Sequence, residues 1–233
     1  MTEPVPASAP GAAPAADRAP ADSRDMYAVH AMLRRELAEL PAHVVNVREG
    51  DSRHAEIVAE HIDFVARILH VHHEGEDILV WPKLAERAPA DSAPVLAAMQ
   101  AEHAGIDRGL AALTGAAASW RAHPDVARRA AVVDALRELT PVVDSHLAAE
   151  EADALVLIDA YLSAPEWGEV GMHGIAHLQP EEFPLFFGML LYGLEADLYK
   201  VLEATLPPDL FAELSVSGPQ EYARHRQRLA TAA

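Results

Sequence analysis

Hydrophobic positions recur at alternating spacings of three and four along four long stretches, roughly 24–47, 53–87, 92–119 and 125–162. That is the period of an amphipathic α-helix. The first stripe runs Met26, His30, Leu33, Leu37, Leu40, Val44 and Val47, and the second Val58, Ile62, Val65, Leu69, His72, Glu76 and Leu79. The third runs Met99, His103, Ile106, Leu110, Leu113 and Ala117. The fourth runs Val132, Leu136, Leu139, Val143, His146 and Glu150, then Ala154 and Leu157 after a slip of register. Gly50-Asp51, the segment Pro89 to Pro94, and His123-Pro124 break the pattern between helices. Alternating β-branched runs flanked by hairpin turns are absent. Four long helices with short loops predict an all-α, up-down four-helix bundle over residues 22–162. Shorter helices near 166–177, 182–206 and 219–229, separated by Gln179-Pro180, Pro207-Pro208 and Gly218-Pro219, predict a helical C-terminal extension over 163–233. Residues 1–21 hold five prolines and eight alanines, which predicts a disordered tail. Pro41 and Pro141 fall inside helical patterns and predict bends, the second one turn before His146.

Composition narrows the function. Asp and Glu number 36 against 18 Lys and Arg, a formal charge of −18, which repels phosphate backbones and anionic lipid and argues against nucleic-acid or membrane partners. Zero cysteines exclude a disulfide framework, a thiolate metal site and a cysteine nucleophile. The longest apolar run, Phe183 to Leu194, is too short to span a bilayer and contains Pro184, and the N-terminus lacks a secretory pattern, so a cytoplasmic protein is expected.

The 13 histidines are the unusual feature. Each apolar stripe contains one, at His30, His72, His103 and His146, and two stripes add a glutamate four residues later, at Glu76 and Glu150. Ionised carboxylates do not sit in apolar seams without a compensating cation. Counted at about 1.5 Å per residue from the connecting loops, these residues fall within one or two turns of a common cross-section of the bundle. Six histidines have an acid at i+4, where composition alone predicts roughly two. Of the three overlapping pairs His70/Glu74, His72/Glu76 and His73/Asp77, only His72/Glu76 lies on the seam; the other two are expected to face away from it. His103/Asp107 adds Asp107 as a further candidate donor at the edge of its seam. A nitrogen-rich set suits iron, zinc or copper better than magnesium or calcium. Glu-x-x-His, the signature of ferritin-like di-iron bundles, occurs nowhere. Trp81-Pro82 reads as core packing near a helix end, His173, His177 and Tyr192 as surface or packing groups, and His43, His54, His61, His123 and His225 as solvated.

The run His72-His73-Glu74-Gly75-Glu76-Asp77 followed by Trp81-Pro82 resembles helix 2 of the hemerythrin-like (HHE cation-binding) proteins, and His146-Leu147-Ala148-Ala149-Glu150-Glu151 resembles their helix 4. His30 matches their early histidine and His103 their helix-3 histidine; the resemblance covers roughly 24–162. It implies two iron ions with an oxo or hydroxo bridge, held by His30, His72, Glu76, His103, His146 and Glu150. The family's oxygen carriers have a second histidine on helix 3, where this chain offers Asp107. With both glutamates bridging, about one or two coordination positions stay open, where dioxygen, peroxide or nitric oxide would bind. A protein that binds or senses dioxygen or a related small oxidant is therefore expected. The alternatives are a di-iron enzyme acting on hydrogen peroxide or performing an oxidation, and iron storage. A sensor would signal through a separate protein partner, because no output module is recognisable in the sequence.

Overall fold

The computed structural model describes residues 19–231. The long helices are α1 (Arg24–Asn46), α2 (Ser52–Leu79), α4 (Ala93–Ala122) and α5 (Val126–Ala149), with α3 (Trp81–Arg87) and α6 (Leu155–Tyr161) continuing α2 and α5. The remainder folds as α7 (Ala164–Ala176), α8 (Phe183–Leu191), α9 (Ala196–Thr205) and α10 (Pro208–Ala230). Among the described residues β-pairing is limited to one isolated bridge between Pro20 and Ser163. Among them, too, no helix is long and apolar enough to cross a membrane.

The local signals act where chain chemistry puts them. Asp51 caps α2 by accepting from the His54 amide at 3.0 Å, and Asp125 caps α5 by accepting from the Arg128 amide at 2.8 Å. Gly50 turns the chain at φ 78°, a conformation open to glycine, and its amide donates to the Pro124 carbonyl. The expected helix over 53–87 divides at Val80, since Pro82 supplies no amide to continue the ladder and instead opens α3. The fourth helix divides too. A π-type turn at Glu150–Ala154 accounts for the slip of register, and past it Leu155 and Ile158 point inward rather than Leu157.

The stripes of α1, α4 and α5 are buried along their length as far as the π-type turn. Their apolar residues do not form one core. Leu33, Leu69, Ile106 and Val143 belong to one large cluster, while Met26, Trp81, Met99, Leu155 and Ile158 belong to another. The histidine and glutamate level of each stripe lies between the two.

The extension covers α2 on the side away from the bundle, so α2 is buried on two faces and Ile57, Phe64, Ile68 and Val71 are core residues. The helix expected over 182–206 is split by Gly193 at φ 69° into α8 and α9. Conversely, Gly218-Pro219 does not end a helix, because α10 runs straight through it. Gly218 is there for approach: a Cβ built on Gly188 of α8 would lie 2.1 Å from the Gly218 carbonyl oxygen, so the two backbones touch. Residues 19–21 of the expected disordered tail are ordered. Ala19 to Ala21 exchange backbone hydrogen bonds with Leu162 and Ala164, and residues 1–18 lie outside the described part.

A polar network ties α10 to the bundle. Buried Glu36 accepts from the Tyr222 hydroxyl at 2.6 Å and from Arg35 at 2.7 Å, and lies 3.3 Å from His61 Nε2. His225 sits 3.1 Å beyond His61, and His54 Nε2 donates to the Leu229 carbonyl at 2.9 Å. His54, His61 and His225 are thus buried, not solvated as their sequence context suggested. Burial raises the Glu36 carboxyl, but the donors from His61, Tyr222 and Arg35 outweigh it and hold the group down at about 2.

Candidate metal centre

Six of the seven sequence candidates converge between the two apolar clusters, and they do so in two overlapping groups. His30, His72, Glu76 and Glu150 form one, with donor atoms all within 4.8 Å of one another. His73, Glu76, His103 and His146 form the other under the same limit. Glu76 belongs to both: its Oε1 lies 3.2 Å from His72 Nε2 and its Oε2 lies 3.3 Å from His103 Nε2. Glu150 also faces both sides, 3.4 Å from His30 Nε2 and 3.9 Å from His146 Nε2. The two glutamates are fully buried. The π-type turn begins at Glu150, so the wide turn is part of the site's frame.

Asp107 is not brought to this cluster. Its side chain is 49% exposed on the flank of α4 and pairs with His70 Nδ1 at 3.0 Å. The i+4 step from His103 carries it round to the surface, because Ile106 and Leu110 fill the seam. The seventh donor is His73, which sequence spacing had turned away from the site. Successive residues on α2 straddle the seam, with His72 facing the α1 side and His73 the α4 and α5 side, where its ring stacks on His103 at 4.1 Å. The available signal was His73/Glu76 at i+3, a same-face spacing equal in weight to i+4.

The histidine tautomers are set by acids adjacent in sequence to the inner donors. The Nδ1–H of His30 donates to Glu151 at 2.9 Å, that of His103 to Asp77 at 2.9 Å, and that of His146 to Glu102 at 2.9 Å. Each bond leaves Nε2 aimed at the centre, as expected for histidines that ligate metal. Arg34 in turn holds Glu151 at 2.6 Å.

Most of the inner atoms lack protein partners, while His103 Nε2 and His146 Nε2 face each other at 3.1 Å. His30 Nε2, His72 Nε2, both His73 nitrogens and all four carboxylate oxygens of Glu76 and Glu150 are buried without a hydrogen bond; beyond them only Trp81 Nε1 shares that state among the described residues. Buried polar atoms are ordinarily satisfied, so a cluster of eight such atoms calls for a cation. Electrostatics agree. Burial, and then the charge of Glu150, pushes Glu76 well above the usual carboxylate range. Burial raises Glu150 as well, but His30 beside it prevails and holds it at about 2, while His30 itself is raised against its own burial by Glu150 and Glu151. Burial lowers His72 to about 3, takes His73 well down, and lowers His103, whose neighbour His146 adds to the effect. Those three are neutral imidazoles, the form that binds metal, and a bound cation would displace the protons on His30 and Glu76.

An apolar cavity of about 190 Å³ lies between the bundle and the extension, with Val71, Trp167, Phe186 and Leu206 among its walls and His72 at its border.

Fold and site together define a four-helix bundle built to hold metal cations on histidine and carboxylate donors. The family model of the hemerythrin HHE cation binding domain matches residues 22–158, more than half of the chain, and the chain belongs to that family. No curated protein and no solved structure matches it. The helices α7 to α10 lie beyond the matched residues.

Proposed function

We propose that the chain holds two iron ions in a non-haem di-iron centre and uses it to bind or sense dioxygen or a related small oxidant. His30 and His72 would serve one ion, His73, His103 and His146 the other, and Glu76 and Glu150 would span the pair. The observation that carries this reading is the place of Glu76 in both histidine groups, its two oxygens facing opposite sides, with Glu150 beside His30 and His146. When bound, iron supplies reversible one-electron chemistry and affinity for dioxygen, peroxide or nitric oxide. The chain's own residues do the rest. Glu151, Asp77 and Glu102 fix three imidazoles in the ligating tautomer. The apolar clusters above and below keep bulk water from the carboxylates. The cavity at His72 favours small neutral molecules over ions, because a charged species entering apolar walls loses its hydration.

Metal analysis with an optical spectrum, taken reduced, aerated and after peroxide, tests the proposal. Close to two iron per chain and a reversible change on aeration support binding or sensing; a sensor would then pass its signal to a separate protein. Rapid oxygen evolution from peroxide would instead make the chain an enzyme. Uptake of a single ion, or of zinc in preference to ferrous iron under anaerobic loading, would overturn the di-iron reading.

A further inference from the structure

Beyond the buried centre, α2 and α7 bring together a second kind of donor set. Glu74 Oε2 lies 3.2 Å from His173 Nε2 and 3.9 Å from His177 Nε2, and the three donor atoms all lie within 4.8 Å of one another. We propose that Glu74, His173 and His177 form a separate site for one divalent first-row transition cation, bridging the bundle to its extension. This goes beyond the function proposed above and does not depend on what the buried centre holds.

Four observations carry it. The 3.2 Å separation already falls in the roughly 3.0–3.4 Å between neighbouring ligands implied by metal–donor bonds of about 2.0–2.2 Å, and the 3.9 Å one lies beyond it, so His177 has to move inward to close the set on an ion. The His177 Nδ1–H donates to the His173 carbonyl at 2.8 Å, which leaves its Nε2 as a bare lone pair facing Glu74. Among the described residues Glu74 has no lysine or arginine partner, only these two imidazoles, so its charge is uncompensated while they are neutral. Gly75, inside a helix where glycine is otherwise disfavoured, fits the same arrangement: a Cβ there would lie 3.1 Å from His173 Cδ2. Two imidazoles and one carboxylate suit iron(II), cobalt, nickel or zinc and not calcium or magnesium, and they leave the remaining positions to water. His173 and His177 lie outside the residues matched by the family model, so two of the three donors come from this chain's extension.

An ion here would act as a clamp. The helix α7 supplies Trp167, Val170 and Ile175 to the wall of the apolar cavity, His177 follows at its C-cap, and α2 supplies the opposite wall with His72. Tying Glu74 to His173 and His177 would hold that wall shut.

The test uses the full chain with its buried centre loaded with iron and excess metal removed. Zinc is then titrated, with iron and zinc content and amide exchange of α7 measured on the same samples. The wild type is expected to gain one zinc per chain and to exchange more slowly over Ala164–Ala176. His173→Ala/His177→Ala is expected to lose that zinc and that protection with iron content unchanged, and His173→Gln/His177→Gln repeats the comparison with less loss of side-chain volume. Equal zinc uptake by wild type and both variants, or zinc uptake with no protection of α7, overturns the proposal. If the buried centre takes no iron, the difference in total zinc between wild type and variants still decides it, and the di-iron reading fails separately.

Discussion

Replacing His73 by leucine should push stability and metal binding in opposite directions. Both imidazole nitrogens of His73 are buried without a partner, and the ring lies among the rings of His72, His103 and His146. Leaving a buried polar group unsatisfied costs about 1–3 kcal/mol, and leucine fills a similar volume without that penalty. The chelated variant should therefore gain about 1–3 kcal/mol and melt on the order of 5 °C higher for a chain of this size. Metal binding should suffer. A four-ligand structural zinc site contributes about 10–16 kcal/mol, about 3 kcal/mol per donor, so losing the His73 donor costs on that scale roughly a hundredfold in affinity for one of the two ions. Asp107→Ala is the paired control, since Asp107 sits at the surface against His70 and should change neither quantity. Thermal melts in chelator and competition titrations with a coloured chelator read the two effects. The reasoning fails if His73→Leu lowers the melting temperature of the chelated protein, or if Asp107→Ala weakens binding as much as His73→Leu does.

Three other substitutions address the surroundings. Gly188→Ala should cost about 2 kcal/mol or more through the α8–α10 crossing, although helix propensity alone favours alanine by about 1 kcal/mol. Gly171→Ala, with open space around it, should be stabilising; the same sign for both in urea titrations would contradict the crossing. Glu36 is held at about 2, below its unfolded value near 4.3, so its contribution of about 3 kcal/mol is complete above that value and lost as pH falls toward 2. Glu36→Gln should remove that part of the acid slope, and parallel stability–pH curves for the two proteins would count against it. Asp77→Asn, Glu102→Gln and Glu151→Gln should each weaken metal binding by roughly 10–100-fold without changing the number of ions, as measured by competition titration. Unchanged affinity in all three would mean that the tautomers are set by something else.

Much of this was legible because one period governs the bundle. The stripes of α1, α4 and α5 can be followed residue by residue, and the candidate ligand histidines stand out as polar residues where the period demands apolar ones. His73 was not legible by the same rule: it passes the i+4 test with Asp77 but stands about 100° off the stripe, and its i+3 partner Glu76 did not enter the count. The second face of α2 was hidden for a different reason. What buries His61 and Phe64 is α10 and its neighbours, and a pattern read within one helix does not name the element that will cover it. Gly218-Pro219 misled in the opposite sense: a pair that ordinarily ends a helix is retained inside one because the neighbouring backbone comes within contact there.

The turn at Glu150–Ala154 fixes the angular phase of everything after it. Counted at about 100° per residue from Glu150, an unbroken α-helix would place Leu155, Ile158 and Leu162 on average roughly 110° away from the direction of the glutamate. One extra residue in the wide turn rotates them back by about 100°, so the carboxylate and the lower apolar row face the same interior. Deleting a single residue between 151 and 154 would restore regular hydrogen bonding and force a choice: the helix would seat either its glutamate or its C-terminal leucines, but not both.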